Sequence, residues 1–392
     1  MGRAFRKSPL LVGALLLGAI AGCEGSLSIH LPDDTAADAG VPEAGLPEAG
    51  TRACGAIGGD GTYVTAPYPT LDAYCLVTND HGDLRYADGV LPYDLNTPLF
   101  SDYAVKRRGV FLPPGTSATY DPNGTFEFPL GTILVKSFGF PDDARKAAPA
   151  MRWVETRLLV RIDGGWKAYA YIWNDAQTVA TYNPGGRGLT VSWIDAAGTP
   201  QNNEYLQPSQ TQCQQCHESN GIIVPIGPKA RNLNRDYAYA DGPANQLTRW
   251  TKAGILKGAP ADPTTVTRLP VWNDATNYTV EQRARAYLEV NCAHCHDGAG
   301  SGSTSGLFLW VTETDPLRYG VCKESLSAGG SVGARQWDVV PGNPDQSILW
   351  YRMASVKPGL AMPQIGRDVV DAEAVALVRD WILGLPPGPC NK

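Results

Sequence analysis

Apolar and polar residues alternate along the chain between residues 53 and 205. The longest alternation covers residues 153–162, and it is followed by Asp163-Gly164-Gly165 and by a second alternating run at 166–173. Alternation is typical of strands with one buried face, and a glycine-containing turn between two such runs predicts an antiparallel hairpin. Further strands are predicted at residues 126–130, 132–140 and 190–194. The pattern predicts an N-terminal antiparallel β domain, either a sandwich or a barrel.

From about residue 206 onward, the apolar positions recur at helical spacing. Thr279 and Gln282 match a capping box, and the apolar residues that follow them share one helical face: Val280, Ala284, Tyr287 and Leu288. Asp371 is placed to cap a second helix, whose apolar face consists of Ala374, Leu377, Val378, Trp381 and Ile382. We therefore expect the second half of the chain to be all-α, so the whole is predicted to be an α+β multidomain protein.

The first 22 residues have the composition of a signal peptide. Arg3, Arg6 and Lys7 precede an apolar stretch at 10–20, which is shorter than the roughly 20 residues of a membrane-spanning helix. Small residues then lead to Cys23, and this arrangement resembles the bacterial lipobox, in which the cysteine receives lipid. We expect lipid on Cys23 to anchor the protein in the bacterial cell envelope, at the outer membrane and facing the periplasm or the surface. An ordinary signal peptide with an incidental Cys23 is the alternative.

Residues 23–52 are predicted to be a flexible tether. They contain the sequence Pro-Glu-Ala-Gly twice and show no apolar periodicity. Such a segment buries too little apolar surface to offset the entropy lost on ordering.

The charge balance argues against one class of partner. The chain has 33 Lys and Arg residues against 39 Asp and Glu, with a formal net charge of -6 and no basic cluster. Because phosphate binding needs a concentrated positive surface, we do not expect nucleic acid to be a partner.

Two copies of a Cys-x-x-Cys-His motif are the strongest chemical signal in the sequence. The first comprises Cys213, Cys216 and His217, and the second comprises Cys292, Cys295 and His296. Two thiols at this spacing can form thioethers to both vinyl groups on one edge of a porphyrin, and the adjacent histidine then supplies a nitrogen ligand to the iron. We therefore expect two covalently attached haem c groups. A thioredoxin-like cysteine pair and a four-cysteine zinc site are the alternatives, and the histidine after each motif argues against both.

Four of the nine cysteines belong neither to these motifs nor to the lipobox: Cys54, Cys75, Cys322 and Cys390. An even number in an exported chain is consistent with two disulfides. Of the three possible pairings we favour Cys54–Cys75 and Cys322–Cys390, since each pair lies within one predicted domain. Free thiols are the alternative.

The axial ligand opposite the histidine can be predicted for only one of the two haems. Met362, which precedes Pro363 and the terminal helix, is expected to ligate the second haem opposite His296, and a simple packing role is the alternative. Met353 falls in a predicted helix and is expected to lie in the core. Between His217 and the second motif there is neither Met nor His. The first haem's ligand stays open among His81, a Met, a Lys, a Tyr, water and an empty position, since His30 lies in the tether.

Two resemblances follow from these motifs. Residues 274–385 resemble class I cytochrome c, with a helix, a haem motif, a Met-Pro loop and a final helix, plus an extra Gly/Ser-rich loop at 297–306. From about residue 88 the chain resembles an uncharacterised family of bacterial di-haem c-type cytochromes, and the strings that carry the likeness are LPYDLNTPLFSDY, IGPKARNLN and VPGNP. The likeness implies an electron carrier in the cell envelope with other redox proteins as partners, and it implies no specific reaction.

The expected organisation is a signal peptide at 1–22, a lipidated tether at 23–52, a β-rich domain at 53–205, a first haem segment at 206–262 and a class I cytochrome c-like haem domain at 263–392. Single-electron transfer is the expected function. The main alternative is a di-haem peroxidase-like enzyme that uses an open coordination position at the first haem. A third hypothesis is that the β domain binds a partner and that the haems are secondary.

Overall fold

A computed structural model describes residues 64–327 and 332–390. The predicted signal peptide and tether, with Cys23, His30 and Cys54, lie outside the described residues. In the part of the chain that is described, no helix has both the length and the apolar character needed to cross a membrane.

Strands dominate the first half of the chain. In order they are β1 Val77–Asp80, β2 Asp83–Tyr86, β3 Val90–Tyr93, β4 Val105–Phe111, β5 Ala118–Thr119, β6 Ile133–Pro141, β7 Met151–Ile162, β8 Gly165–Trp173, β9 Ala180–Tyr182, β10 Arg187–Ile194, β11 Pro200–Gln207, β12 Glu218–Ser219, β13 Ile222–Ile223, β14 Asp236–Tyr239, β15 Gly242–Asn245 and β16 Leu256–Lys257.

The largest sheet has six antiparallel strands in the order β3-β4-β6-β7-β8-β9. The predicted hairpin is confirmed: β7 and β8 pair from Glu155 opposite Ile172 to Ile162 opposite Gly165, and Asp163 and Gly164 form the two-residue turn between them. Gly164 adopts a φ of 79°, a left-handed conformation that glycine reaches without a side-chain clash.

The period-two pattern matches two different cores on the two faces of this sheet. Leu158 and Tyr169 pack on the face that is covered by the first strands of the chain. Leu134 packs on the opposite face, in a cluster with Leu233 and Trp250 from the segment after the first motif. Both faces are therefore buried, and the second face belongs to the side of the molecule that carries the motifs.

Two details of the β prediction need correction. The described strands do not close a barrel, since β3 and β9 end the sheet without pairing with each other, and the β10–β11 ribbon packs against part of one face through Phe140 and Trp193. Residues 126–130 form no strand. Phe126 and Phe128 alternate because both are buried in the core, while the backbone there makes only isolated bridges.

Helices dominate the last part of the chain. The α-helices are α1 Gln210–His217, α2 Ala230–Leu233, α3 Gln246–Lys252, α4 Val280–Leu288, α5 Ile348–Met353 and α6 Ala372–Gly384, with a π-helical turn at Glu289–Ala293 and short 3-10 turns at Leu71–Tyr74, Pro263–Thr265, Ser303–Ser305 and Pro344–Gln346.

Both predicted helix caps are confirmed. Thr279 and Gln282 form the reciprocal capping box of α4, and the side chain of Asp371 accepts from the backbone N–H of Ala374 at the start of α6. α4 packs against α6, and their apolar faces share one core with Met353, which is buried as expected. The disulfide Cys322–Cys390 is also confirmed.

The first haem segment is not all-α as expected. Two hairpins, β12–β13 and β14–β15, interrupt it, and β16 pairs in parallel with β5. The first hairpin turns at Asn220 and Gly221, both with positive φ (51° and 80°), a conformation that an Asn-Gly pair favours. Together with the shared core, these pairings join the segment closely to the β region.

Candidate haem-attachment sites

The first motif lies at the C-terminal end of α1. Ser209 caps this helix with a reciprocal capping box to Gln212, which fixes where the helix starts and so where the motif falls. The β12–β13 hairpin then folds the chain back toward His217. As a result His217 Nδ1 lies 2.8 Å from the Val224 carbonyl oxygen.

The second motif begins in the π-helical turn that extends α4. His296 follows this turn, and its Nδ1 lies 3.0 Å from the Ser305 hydroxyl oxygen. Ser305 donates its own proton to the Gly302 carbonyl at 2.7 Å, so its oxygen lone pair accepts from His296. The extra Gly/Ser-rich loop therefore supplies the partner of the second histidine.

These two contacts determine the tautomer of both rings. A carbonyl oxygen can only accept, so His217 carries its proton on Nδ1, and the Ser305 contact puts the His296 proton on Nδ1 as well. Burial lowers the pKa of His217 to about 4 and lowers the pKa of His296, so both rings are neutral near pH 7. Each ring then has a free Nε2 lone pair, the form of histidine that ligates a metal.

The carbonyl that holds His217 belongs to Val224. The β12–β13 pairing places Val224 opposite the histidine.

Two adjacent cavities surround the motifs. The first has an empty volume of about 1600 Å³, partly open to solvent, and its lining includes Cys213, Cys216 and His217. The second has about 1270 Å³ and its lining includes Cys295 and His296. Both volumes include open solvent, and both linings join cysteine and histidine side chains of the motifs to apolar residues. We call these the first cavity and the second cavity.

The two motifs lie against each other between the cavities. The ligand atoms of Cys216, His294 and Cys295 all lie within 4.8 Å of one another. Backbone contacts hold the two loops together: Ser301 Oγ donates to the Gln215 carbonyl at 2.7 Å, and Cys295 Sγ lies 3.4 Å from the same oxygen. The two motifs are 79 positions apart along the chain, and their spacing gave no indication of this contact.

The four motif cysteines are free thiols. By contrast, Cys75, Cys322 and Cys390 are all disulfide-bonded, and the predicted partner of Cys75, Cys54, lies outside the described residues. Thiols that stay unpaired at such close range, in a chain with disulfides elsewhere, are available for another ligand. Cys216, His294 and Cys295 could also hold a metal ion such as Zn²⁺ if a fourth ligand joined them.

Met362 lies at the boundary of the two cavities and lines both. Arg367 anchors its loop, since Arg367 Nη2 donates to the Met362 carbonyl at 2.8 Å and to the Ser355 carbonyl at 2.6 Å. The predicted ligand therefore lines the same cavity as His296, and the Arg367 side chain holds its backbone. Met353 lines both cavities too, from within the core.

His81 does not lie near the first motif. It occupies the turn between β1 and β2, where its side chain is 74% exposed and bonds to Asp80, and it lines a separate cleft together with Met151. The structure thus gives no support to either residue as a ligand of the first haem.

The walls of the first cavity include three cations that sequence reasoning missed: Arg108, Lys136 and Arg157. They stand at inward-facing positions of β4, β6 and β7, where an apolar residue is usual. These residues could have been found from the sequence, because a charged residue at a position predicted to face the core of a sheet is unusual. Arg108 is 4% exposed, and its Nη2 has no hydrogen-bond partner. His294 also lines the cavity, and its Nδ1 has no hydrogen-bond partner either. An unpartnered buried donor of Arg108 in the lining is consistent with a bound group that carries acceptors.

Residues of two sequence strings named above, LPYDLNTPLFSDY and IGPKARNLN, hold the motif-bearing parts of the chain to the sheet. Asn96 Nδ2 donates to the Arg231 carbonyl at 3.0 Å, and the Asp102 carboxylate accepts from the backbone N–H groups of Asp368 and Val369 at 2.8 and 3.0 Å. Arg231 also forms a buried ion pair with Glu289, in the turn that leads to Cys292. These contacts fix the cavity walls relative to one another.

Comparisons with protein-family models, with curated proteins and with solved structures found no match to this chain.

Proposed function

We propose that the protein is a di-haem c-type cytochrome that carries single electrons in the bacterial cell envelope. The observation that carries the proposal is that each Cys-x-x-Cys-His motif lines a cavity, in which a neutral histidine presents its free Nε2. Haem bound at these residues supplies one-electron Fe(III)/Fe(II) chemistry.

The chain's own residues have distinct tasks in this proposal. Cys213 and Cys216 attach the first haem and Cys292 and Cys295 the second, while Val224 and Ser305 hold His217 and His296 in the ligating tautomer. Such contacts also raise the basicity of the ligand. Met362 is the proposed second ligand of the second haem, which should then have the higher potential, since Met/His ligation raises it.

The contact between the two motifs supports electron transfer within the molecule. Because Cys216 and Cys295 lie side by side, groups attached to them have neighbouring edges. An electron that enters at one site can therefore reach the other without a large movement of the chain. The solvent-open side of the first cavity leaves room for a redox partner.

Haem explains more of the geometry than zinc does. A zinc ion held by Cys216, His294 and Cys295 would leave His217, His296 and both cavities without a role. Structural zinc sites are also closed tetrahedra with little empty space around them. The class I cytochrome c likeness of residues 274–385, the lipid anchor at Cys23 and redox partners in the envelope remain parts of the same proposal.

The experiment that separates carrier from peroxidase uses the purified holoprotein. We expect a potentiometric titration to resolve two one-electron couples, and we expect no turnover of hydrogen peroxide with a reduced electron donor. Peroxide turnover at a high-spin haem would overturn the carrier proposal in favour of a peroxidase-like enzyme.

A further inference from the structure

Three cations stand in one row across the sheet wall of the first cavity. Arg108 on β4 is directly opposite Lys136 on β6, and Lys136 is directly opposite Arg157 on β7. Next in the row is Ala170 on β8, a small residue that leaves space in front of the sheet. All four residues line the first cavity.

Lys136 differs from its two neighbours because it has no carboxylate partner. Arg108 pairs with Asp94 at 2.7 Å and Arg157 pairs with Glu155 at 2.5 Å, whereas none of the ion pairs among the described residues includes Lys136. Its ammonium group lies 4.8 Å from the centre of the Phe138 ring. Like charges directly opposite in a sheet destabilise it, so a protonated Lys136 between two arginines is unfavourable.

The electrostatic surroundings favour the neutral amine. Burial, and then the charges of Arg108, Lys106 and Arg157, lower the pKa of Lys136 well below its usual range. A neutral lysine amine has a nitrogen lone pair, whereas an arginine guanidinium stays protonated and has none to offer.

The charges of this row of cations act on residues of the first motif. The charge of Arg157 acts on Cys213, and the charges of Lys136 and Arg157 both act on His217. Lys136 and Arg157 line the same cavity as Cys213 and His217.

The other His and Met side chains that line the first cavity each have a further contact in the structure. His294 lies among the thiols at the junction of the motifs, Met362 lies in the loop beside the second cavity, and Met353 is packed in the core of the helical part. His81 and Met151 line a different cleft.

We propose that Lys136 supplies the second axial ligand of the first haem, through its neutral amine nitrogen and opposite His217. The inference rests on the proposed function and deepens it, because a lysine ligand from the sheet couples the β region to the haem. It also closes the coordination position that a peroxidase would need.

The test uses two substitutions that separate coordination from charge. Lys136→Arg keeps a cation but cannot coordinate, and Lys136→Gln removes the charge as well. We expect both variants to keep two covalent haems, to convert one haem from low spin to high spin in the ferric optical and electron paramagnetic resonance spectra, and to bind carbon monoxide at that haem when reduced. Wild type should bind none. The matched control is Lys167→Gln, at an exposed lysine on β8, which should behave as wild type.

Several results would overturn the inference. The Lys136→Arg variant could have the same spectra as wild type while Lys136→Gln lowers the reduction potential of one haem. That result would mean that Lys136 pairs with the haem carboxylates through its charge and is not a ligand. Carbon monoxide binding at one haem of wild type would show an open position. If neither variant incorporates haem, the near-infrared and electron paramagnetic resonance spectra of wild type provide the test, because a nitrogen ligand gives different spectra from a thioether or a water ligand. Wild type without haem would defeat the proposed function itself, a result distinct from all of these.

Discussion

The buried ion pair between Arg231 and Glu289 should determine how firmly the two motif-bearing segments are joined. The two side chains are 7% and 3% exposed, and Arg231 Nε lies 2.5 Å from Glu289 Oε1. The second carboxylate oxygen accepts from the Val311 N–H at 2.9 Å, and Arg231 Nη1 donates to the Asn123 carbonyl at 2.7 Å. Both carboxylate oxygens of Glu289 and two of the three guanidinium nitrogens of Arg231 are thus hydrogen-bonded within the protein, and little of either side chain is exposed.

The substitution Glu289→Gln should lower the free energy of unfolding by about 3 kcal/mol. Two unit charges about 4 Å apart interact by about 4 kcal/mol at an effective dielectric constant of about 20. Removal of one partner of a buried pair typically costs about 3–5 kcal/mol, because an uncompensated charge stays buried. Glutamine has a similar shape but only one acceptor oxygen, so it can keep the hydrogen bond from Arg231 or the one from Val311 but not both. We therefore expect a loss no smaller than the lower end of this range.

The assay is denaturant unfolding of the holoprotein, followed by circular dichroism. The matched control is Asp241→Asn, which breaks the exposed pair of Asp241 with Arg249 and should cost less than about 1 kcal/mol. The double variant Arg231→Met with Glu289→Leu should lose less stability than the sum of the single losses, since it leaves no buried charge behind. A Glu289→Gln cost no larger than that of Asp241→Asn, or full additivity in the double variant, would refute this reasoning.

Three further changes test other parts of the molecule. Met362→Ala should abolish the Met–iron charge-transfer band and lower the potential of one haem only; the same effect from Met353→Ala, without it in Met362→Ala, would reverse the assignment. Burial raises the pKa of Asp102 to about 6, above the roughly 3.9 of an unfolded aspartate, so its ionisation destabilises the fold as pH rises through this window. Asp102→Asn should therefore add up to about 3 kcal/mol of unfolding free energy at pH 7 and nothing at pH 3.5, and an equal effect at both pH values would refute the assignment. Cys23→Ser should release the protein from membranes into the soluble fraction, and retention without detergent would point to a different anchor.

Local signals predicted the parts of the fold that depend on neighbours in sequence. The β7–β8 hairpin follows from alternation and a glycine turn, and the starts of α4 and α6 follow from capping residues Thr279 and Asp371. The two Cys-x-x-Cys-His motifs are equally local, because their chemistry depends on a spacing of a few residues.

The remaining features depend on contacts between distant residues. Nothing near Cys216 in the sequence indicates that Cys295 lies beside it, because the approach depends on loops that pack only in the folded chain. Lys136 illustrates the same limit: alternation placed it in a strand, but its position in the cavity depends on which face of the sheet the first motif covers. The strand expected at residues 126–130 failed for a related reason, since alternation reports burial and does not by itself require a pairing partner.

The haem content of the mature, purified protein tests the central claim most directly. A pyridine haemochrome measurement, combined with zinc analysis on the same sample, should give two covalently bound haems and no zinc per chain. Cys213→Ser and Cys292→Ser should each reduce the count to one, whereas Cys322→Ser, in the disulfide with Cys390, should leave it at two. Stoichiometric zinc with no haem resistant to acid–acetone extraction, in the wild-type protein matured in its own envelope, would contradict the account.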